Sequence, residues 1–177
     1  DPETLETLGV RRFGGELRWV GSYSAHPRFC PSSGDMFNFG VEFIPGPHLR
    51  VYRTDRRGRL KHYRSASLPY VAMVHDFAIT ERYLVFLISP IIPDGIPIAL
   101  GLTSFGDGMK YRPERGSSFV LIPRDGGEIR RVDCDAVLQF HPSNAYDDRG
   151  DVVCDVITYD NGALLDCIAR FRTTPMD

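Results

Sequence analysis

About ten short β-type segments, separated at regular intervals by turn signals, restrict this chain to few folds. Residues 16–24 alternate in polarity, and residues 36–44 are rich in aromatic and β-branched side chains. Residues 49–53 and 59–65 flank Asp55-Arg56-Arg57-Gly58, which reads as a hairpin turn. Residues 77–80 and 83–89 form a second candidate hairpin across Glu81-Arg82, and residues 118–123 and 128–132 flank Arg124-Asp125-Gly126-Gly127. Residues 136–141, 151–159 and 164–171 complete the set. No segment longer than about ten residues sustains a 3.6-residue period, so little helix is expected. The chain therefore reads as all-β: a sandwich, a barrel or a propeller.

Length and charge narrow the function classes. With 177 residues the chain fits one domain, and 42% hydrophobic with 25% charged residues marks it as globular. Twenty-one bases against 23 acids give a net charge of −2, so no nucleic-acid partner is expected. The basic stretch from Arg56 to Lys61 fits a solvated turn better than a membrane contact. Cys30, Cys134, Cys154 and Cys167 lack CxxC spacing, which argues against a zinc ribbon and suggests reduced thiols in a cytoplasmic compartment. The most apolar stretch, residues 83–102, is broken by Pro90, Pro93, Gly95 and Pro97 and is not a membrane span. The long connection at 90–115 carries Ile91, Ile92, Ile96, Ile98 and Leu100. It is expected either to pack on the core or to form an apolar lip over a substrate entrance.

Three histidines sit in matching settings: Ser24-Ala25-His26-Pro27-Arg28, Met73-Val74-His75-Asp76-Phe77-Ala78-Ile79-Thr80 and Phe140-His141-Pro142-Ser143-Asn144-Ala145-Tyr146-Asp147. They lie 49 and 66 residues apart, too far for one helix or hairpin to join them. Each leads into a β segment, so a propeller with one histidine at the top of each innermost strand would bring them to a common axis. Three converging imidazoles suit a metal ion, and the lack of thiolates points to iron, copper or catalytic zinc. His48 and His62 lack such a setting, and His62 alternates with charged residues as an exposed side chain would. Asp76 and Asp147 lie near the ligands; either could orient an imidazole, although a backbone cap at Asp76 and a turn at 147–151 explain them more simply. A zinc hydrolase and a metal-free binding scaffold remain alternative readings at this point.

These motifs strongly resemble the metal-ligand motifs of the carotenoid cleavage oxygenases. That family includes apocarotenoid oxygenases, lignostilbene dioxygenases and the retinal pigment epithelium isomerase. The resemblance runs from Asp1-Pro2-Glu3-Thr4-Leu5 to about Tyr159 and includes Leu49-Arg50-Val51-Tyr52-Arg53 and Phe119-Val120-Leu121-Ile122-Pro123-Arg124. It implies a seven-bladed propeller with a non-haem Fe(II) held by four histidines, which uses O2 to cleave a C=C bond into aldehyde or ketone products. His26, His75 and His141 match the first three ligands. The fourth ligand and the glutamates that support the ligands in the family find no match here, so residues 1–177 are expected to be one incomplete propeller domain of about three to four blades. Alone it is expected to be inactive. The implied substrate is an apolar conjugated molecule, a carotenoid or apocarotenoid, with a 4-hydroxystilbene as the alternative. Peripheral contact with a membrane is a further expectation. Cys30 stands where the family often has Asp, so the turn after His26 is expected to differ.

Overall fold

The computed structural model describes residues 1–18 and 21–171. Its frame is antiparallel. Strands β1 (Arg28–Phe29), β2 (Met36–Glu42), β3 (His48–Thr54) and β4 (Leu60–Ser67) pair in sequence order as one four-stranded meander. A second meander consists of β5 (Ala78–Ile79) and β6 (Tyr83–Ile88), then β9 (Ser117–Pro123) and β10 (Arg130–Cys134). Between β6 and β9 the chain makes an excursion: β7 (Ile91–Pro93), the short helix α1 (Gly95–Ala99) and β8 (Met109–Tyr111). A two-stranded hairpin, β11 (Pro142–Asp148) with β12 (Asp151–Val156), and helix α2 (Ala163–Phe171) follow. The two-residue strands β1 and β5 each start a sheet, and β11 lies beside β5. This is blade architecture: each sheet begins at the centre and meanders outward.

Period-two alternation builds the core. Phe37 and Phe39, Leu49 and Val51 from the first sheet meet Leu84, Phe86 and Ile88, Val120 and Ile122 from the second in one buried cluster. At its centre Phe77 stacks on Phe86 with ring centroids 5.0 Å apart and planes at 10°. Phe39 meets both rings edge-on, at 5.5 and 5.2 Å. Edge-to-face and offset contacts are the favourable geometries for such rings. The expected hairpins form: Asp55 Oδ1 accepts the backbone N–H groups of Arg57 and Arg59, and Gly58 takes a positive φ of 73°.

Four expectations are corrected. The described residues of the 16–24 segment make no strand, while Trp19 and Val20 lie outside the described residues. Residues 21–24 instead run beside β2 through one backbone bond, from the Ser24 N–H to the Phe39 carbonyl at 2.8 Å, and through side chains. The Val41 N–H donates to Ser22 Oγ at 2.7 Å, and Asn38 Nδ2 donates to the Ser24 carbonyl at 2.9 Å. Gly40 permits this approach, since a Cβ there would lie 1.9 Å from the Ser22 carbonyl oxygen. Residues 136–141 form only one bridge, Leu138 to Tyr159, because hydroxyl groups replace the ladder: Val137 N–H donates to Ser117 Oγ and Gln139 N–H to Ser89 Oγ. Asp147 and Asp148 belong to strand β11, with the turn confined to Arg149 and Gly150. Residues 164–171 are helical rather than extended; Asn161 Oδ1 accepts the Ala163 N–H at 2.9 Å, and Leu164 and Leu165 pack against Ile91, Met109 and Leu138.

The 90–115 connection divides into a buried base and an exposed tip. Its base is core, with Ile91 and Met109 buried. Its tip exposes Ile96, Leu100, Leu102 and Phe105. No helix among the described residues is long and apolar enough to cross a membrane.

Candidate metal centre

Each of the three histidines lies one to three residues before the first strand of its sheet: His26 before β1, His75 before β5, His141 before β11. The common position brings them together, and one ring nitrogen from each lies within 4.8 Å of the others. Ring centroids are 4.6 Å apart for His26 and His75, and 4.8 Å for each of the other two pairs. The Nε2 atoms of His26 and His75 are 3.0 Å apart. Two nitrogens bound at right angles to one ion at about 2.1 Å would sit about 3.0 Å apart, so this spacing fits a shared metal. A single N–H···N bond would satisfy that pair alone, whereas one ion could engage all three rings.

Local sequence sets each ring. Ser24 Oγ accepts the His26 N–H at 3.1 Å and donates to the His75 carbonyl at 3.2 Å, tying two ligand segments together. His75 lies between its partners and Phe140, whose ring meets it edge-on at 5.5 Å. Burial pushes the His75 imidazole below the usual histidine range; His26 and His141 add to this and Asp76 opposes it. A ring kept neutral is the form that binds a metal. An open cavity of about 190 Å³ touches His26 and His75 and is also lined by Tyr23, Phe39 and Val74. Another cavity, about 420 Å³, is lined by no histidine and lies between Phe29, Ile79 and Tyr146.

The carboxylates divide. Asp76 is 2% exposed; its Oδ2 faces His141 Nδ1 at 3.1 Å and Arg28 Nη2 at 2.6 Å, while its Oδ1 accepts the Phe77 N–H at 2.7 Å. It therefore caps a backbone amide and also contacts a candidate ligand. Asp147 is remote from the rings. It takes Arg82 Nε at 3.1 Å and the Arg82 N–H at 3.1 Å, fastening β11 to the β5–β6 turn. Burial alone would raise the Asp147 pKa, but these Arg82 contacts and the Thr80 hydroxyl hold it below the usual range. Sequence reasoning missed Arg28 and Ser24; both lie two residues from His26, and their polarity beside a ligand motif was the available signal. His48 is held by Glu42 and the Gly46 carbonyl, and His62 is exposed beside Ser65, so neither belongs to the site.

Cys30 is buried and faces Arg124 Nη2 at 2.6 Å. Burial alone would raise its thiol, but the hydroxyl and backbone donors of Ser32 and Ser33 outweigh it and lower the group to about 6. Cys30 Sγ thus accepts from an arginine side chain. All four cysteines are free.

Comparison with known proteins places this geometry. Residues 1–176 match the family described as retinal pigment epithelial membrane protein. The chain belongs to the carotenoid cleavage oxygenase family. It is 33% identical to the apocarotenoid-15,15'-oxygenase of Synechocystis over 100% of its own length and 37% of that protein's. It is 34% identical to lignostilbene-alpha,beta-dioxygenase isozyme III of Sphingomonas paucimobilis over 92% of its length and 34% of that protein's. The chain thus spans about a third of the length of the curated relatives it matches. The crystal structure of cobalt-substituted Synechocystis apocarotenoid oxygenase superposes with a TM-score of 0.80 at 32% identity, covering 91% of this chain and 35% of that one. The two meanders and the hairpin are accordingly part of a seven-bladed propeller.

Proposed function

We propose that the full-length protein is a non-haem Fe(II) dioxygenase that cleaves a C=C bond of a carotenoid or apocarotenoid. The observation that carries this reading is the convergence of His26, His75 and His141 at the starts of three inner strands. Neutral imidazoles suit Fe(II), and the cobalt-substituted relative supports a divalent ion at such a site. Bound there, the metal would supply O2 activation. The chain's residues hold and orient it: Phe140 packs His75, Ser24 links the first two ligand segments, and Asp76 faces the third ligand. The lignostilbene dioxygenase relative favours a 4-hydroxystilbene as the second reading of the substrate. Iron content and O2 uptake decide between the readings. About one iron per chain, with uptake and paired carbonyl products from an apocarotenal, supports the first; products only from a hydroxystilbene support the second. An iron-free protein without uptake would sink both and leave the binding-scaffold reading.

The exposed tip at 96–105 completes the proposal as an apolar lip that meets a lipid surface and admits the substrate. Burying one Leu-sized side chain in an apolar phase is worth about 1.5–3 kcal/mol. Leu102→Asp is therefore expected to weaken partitioning onto phospholipid vesicles about tenfold or more. Unchanged cosedimentation would remove the lip from the membrane contact.

A further inference from the structure

Residues 11–18 and 53–64 carry nine of the chain's 21 bases but only two of its 23 acids, Glu16 and Asp55. The fold brings the two segments together. The N–H of His62 in β4 donates to Glu16 Oε2 at 3.4 Å, so the segment before the first sheet lies against its last strand. Between them opens a cavity of about 590 Å³, lined by Arg11, Arg12 and Arg59 and, with apolar side chains, by Phe13 and Leu60. That volume falls within the roughly 300–1,000 Å³ of small-ligand sites. All three arginines are exposed, as is Arg57 in the adjoining turn. Arg59 Nε is held by Asp55 Oδ2 at 2.7 Å, and the Arg11 guanidinium stands 5.1 Å from the centre of the Phe13 ring. Glu16, the acid among the lining residues, is turned to a backbone amide. Like charges gathered around a concavity focus their field and favour an anion. A guanidinium fork pairs two phosphate oxygens at once, and the apolar lining suits an organic body attached to them.

We propose that this cavity is a binding site, separate from the histidine cluster, for a soluble phosphate-bearing small molecule. Topology decides against a lipid headgroup. His26 precedes β1, so the β3–β4 turn, reached after three antiparallel strands, lies at the end of the meander away from the histidines. The exposed tip at 96–105, reached from His75 after the antiparallel pair β5 and β6, lies at the histidine end. A lipid surface that meets the tip leaves the cavity on the far side.

The test is calorimetric titration of the full-length protein with inorganic pyrophosphate. The expected result is one saturable site per chain, with affinity about tenfold or more weaker in Arg11→Glu/Arg12→Glu, since each charge-assisted hydrogen bond lost is worth about that factor. Arg130→Glu changes an exposed arginine of β10 outside the cavity and should bind pyrophosphate as the parent does. So should His75→Ala, which separates the site from chelation at the histidine cluster. A parent without saturable binding overturns the proposal, and so does Arg11→Glu/Arg12→Glu binding within about twofold of the parent. Equal weakening in Arg130→Glu overturns it as general charge attraction, and loss of binding in His75→Ala overturns it as metal chelation. Binding to phosphatidylcholine vesicles doped with a phosphoinositide, with none to free pyrophosphate, overturns the soluble ligand.

Discussion

His75→Ala is expected to abolish stoichiometric metal binding in the full-length protein, and O2 uptake with it. The His75 ring centroid lies 4.6 Å from that of His26 and 4.8 Å from that of His141, within a nearly equilateral cluster. Losing only a ligand's hydrogen-bond partner costs about 10–100-fold in affinity, so losing the ligand itself should cost more than about 100-fold. The fold should survive, because His75 is only partly buried and the adjacent core is anchored by Phe77. His62→Ala provides the control: that ring is exposed and bonds to Ser65, outside the histidine cluster, so iron content and uptake should match the parent. Metal analysis after gel filtration, alongside an oxygen electrode, reads both quantities. Full iron occupancy in His75→Ala would show that the cluster does not hold the metal.

Phe77→Ala is expected to be the most destabilising single change in the described core. The ring is fully buried and contacts Phe39 and Phe86, linking the two sheets. Truncating a buried phenylalanine costs about 3–5 kcal/mol, a large share of the roughly 5–15 kcal/mol that stabilises a domain. Phe77 also follows the ligand and the carboxylate directly, so the same change should loosen His75 and Asp76. Denaturant unfolding measures the first effect, and metal affinity at a temperature where the variant is folded measures the second. Phe77→Leu should lose less of both, because it retains most of the apolar volume. An unfolding midpoint equal to that of the parent would mean that the two sheets do not depend on this ring.

The hairpins were legible locally. Asp55 to Gly58, Glu81-Arg82 and Arg124 to Gly127 carry turn chemistry that needs no distant partner, and the apolar alternation of β2, β3, β6 and β9 follows from burying one face or both. The strand β11 was not legible, because Pro142 to Asp148 is polar and largely exposed; its ladder exists because Val152, Val153 and Val156 of β12 stand opposite. Helix α2 was missed because nine residues span too few turns for a period to stand out, although Asn161 offered a capping signal.

The amino-acid sequence by itself singled out the three histidines in matching settings and the β character of the chain, since residue identity and local periodicity carry these. Only the tertiary structure decided that the three imidazoles share one point and that Asp76 faces a histidine 65 residues away rather than its own neighbour. It also showed that Cys30 meets Arg124 across 94 residues. These are contacts between separate blades, fixed by how two sheets pack through Phe39, Phe77 and Phe86, and no local pattern encodes a distance across that interface.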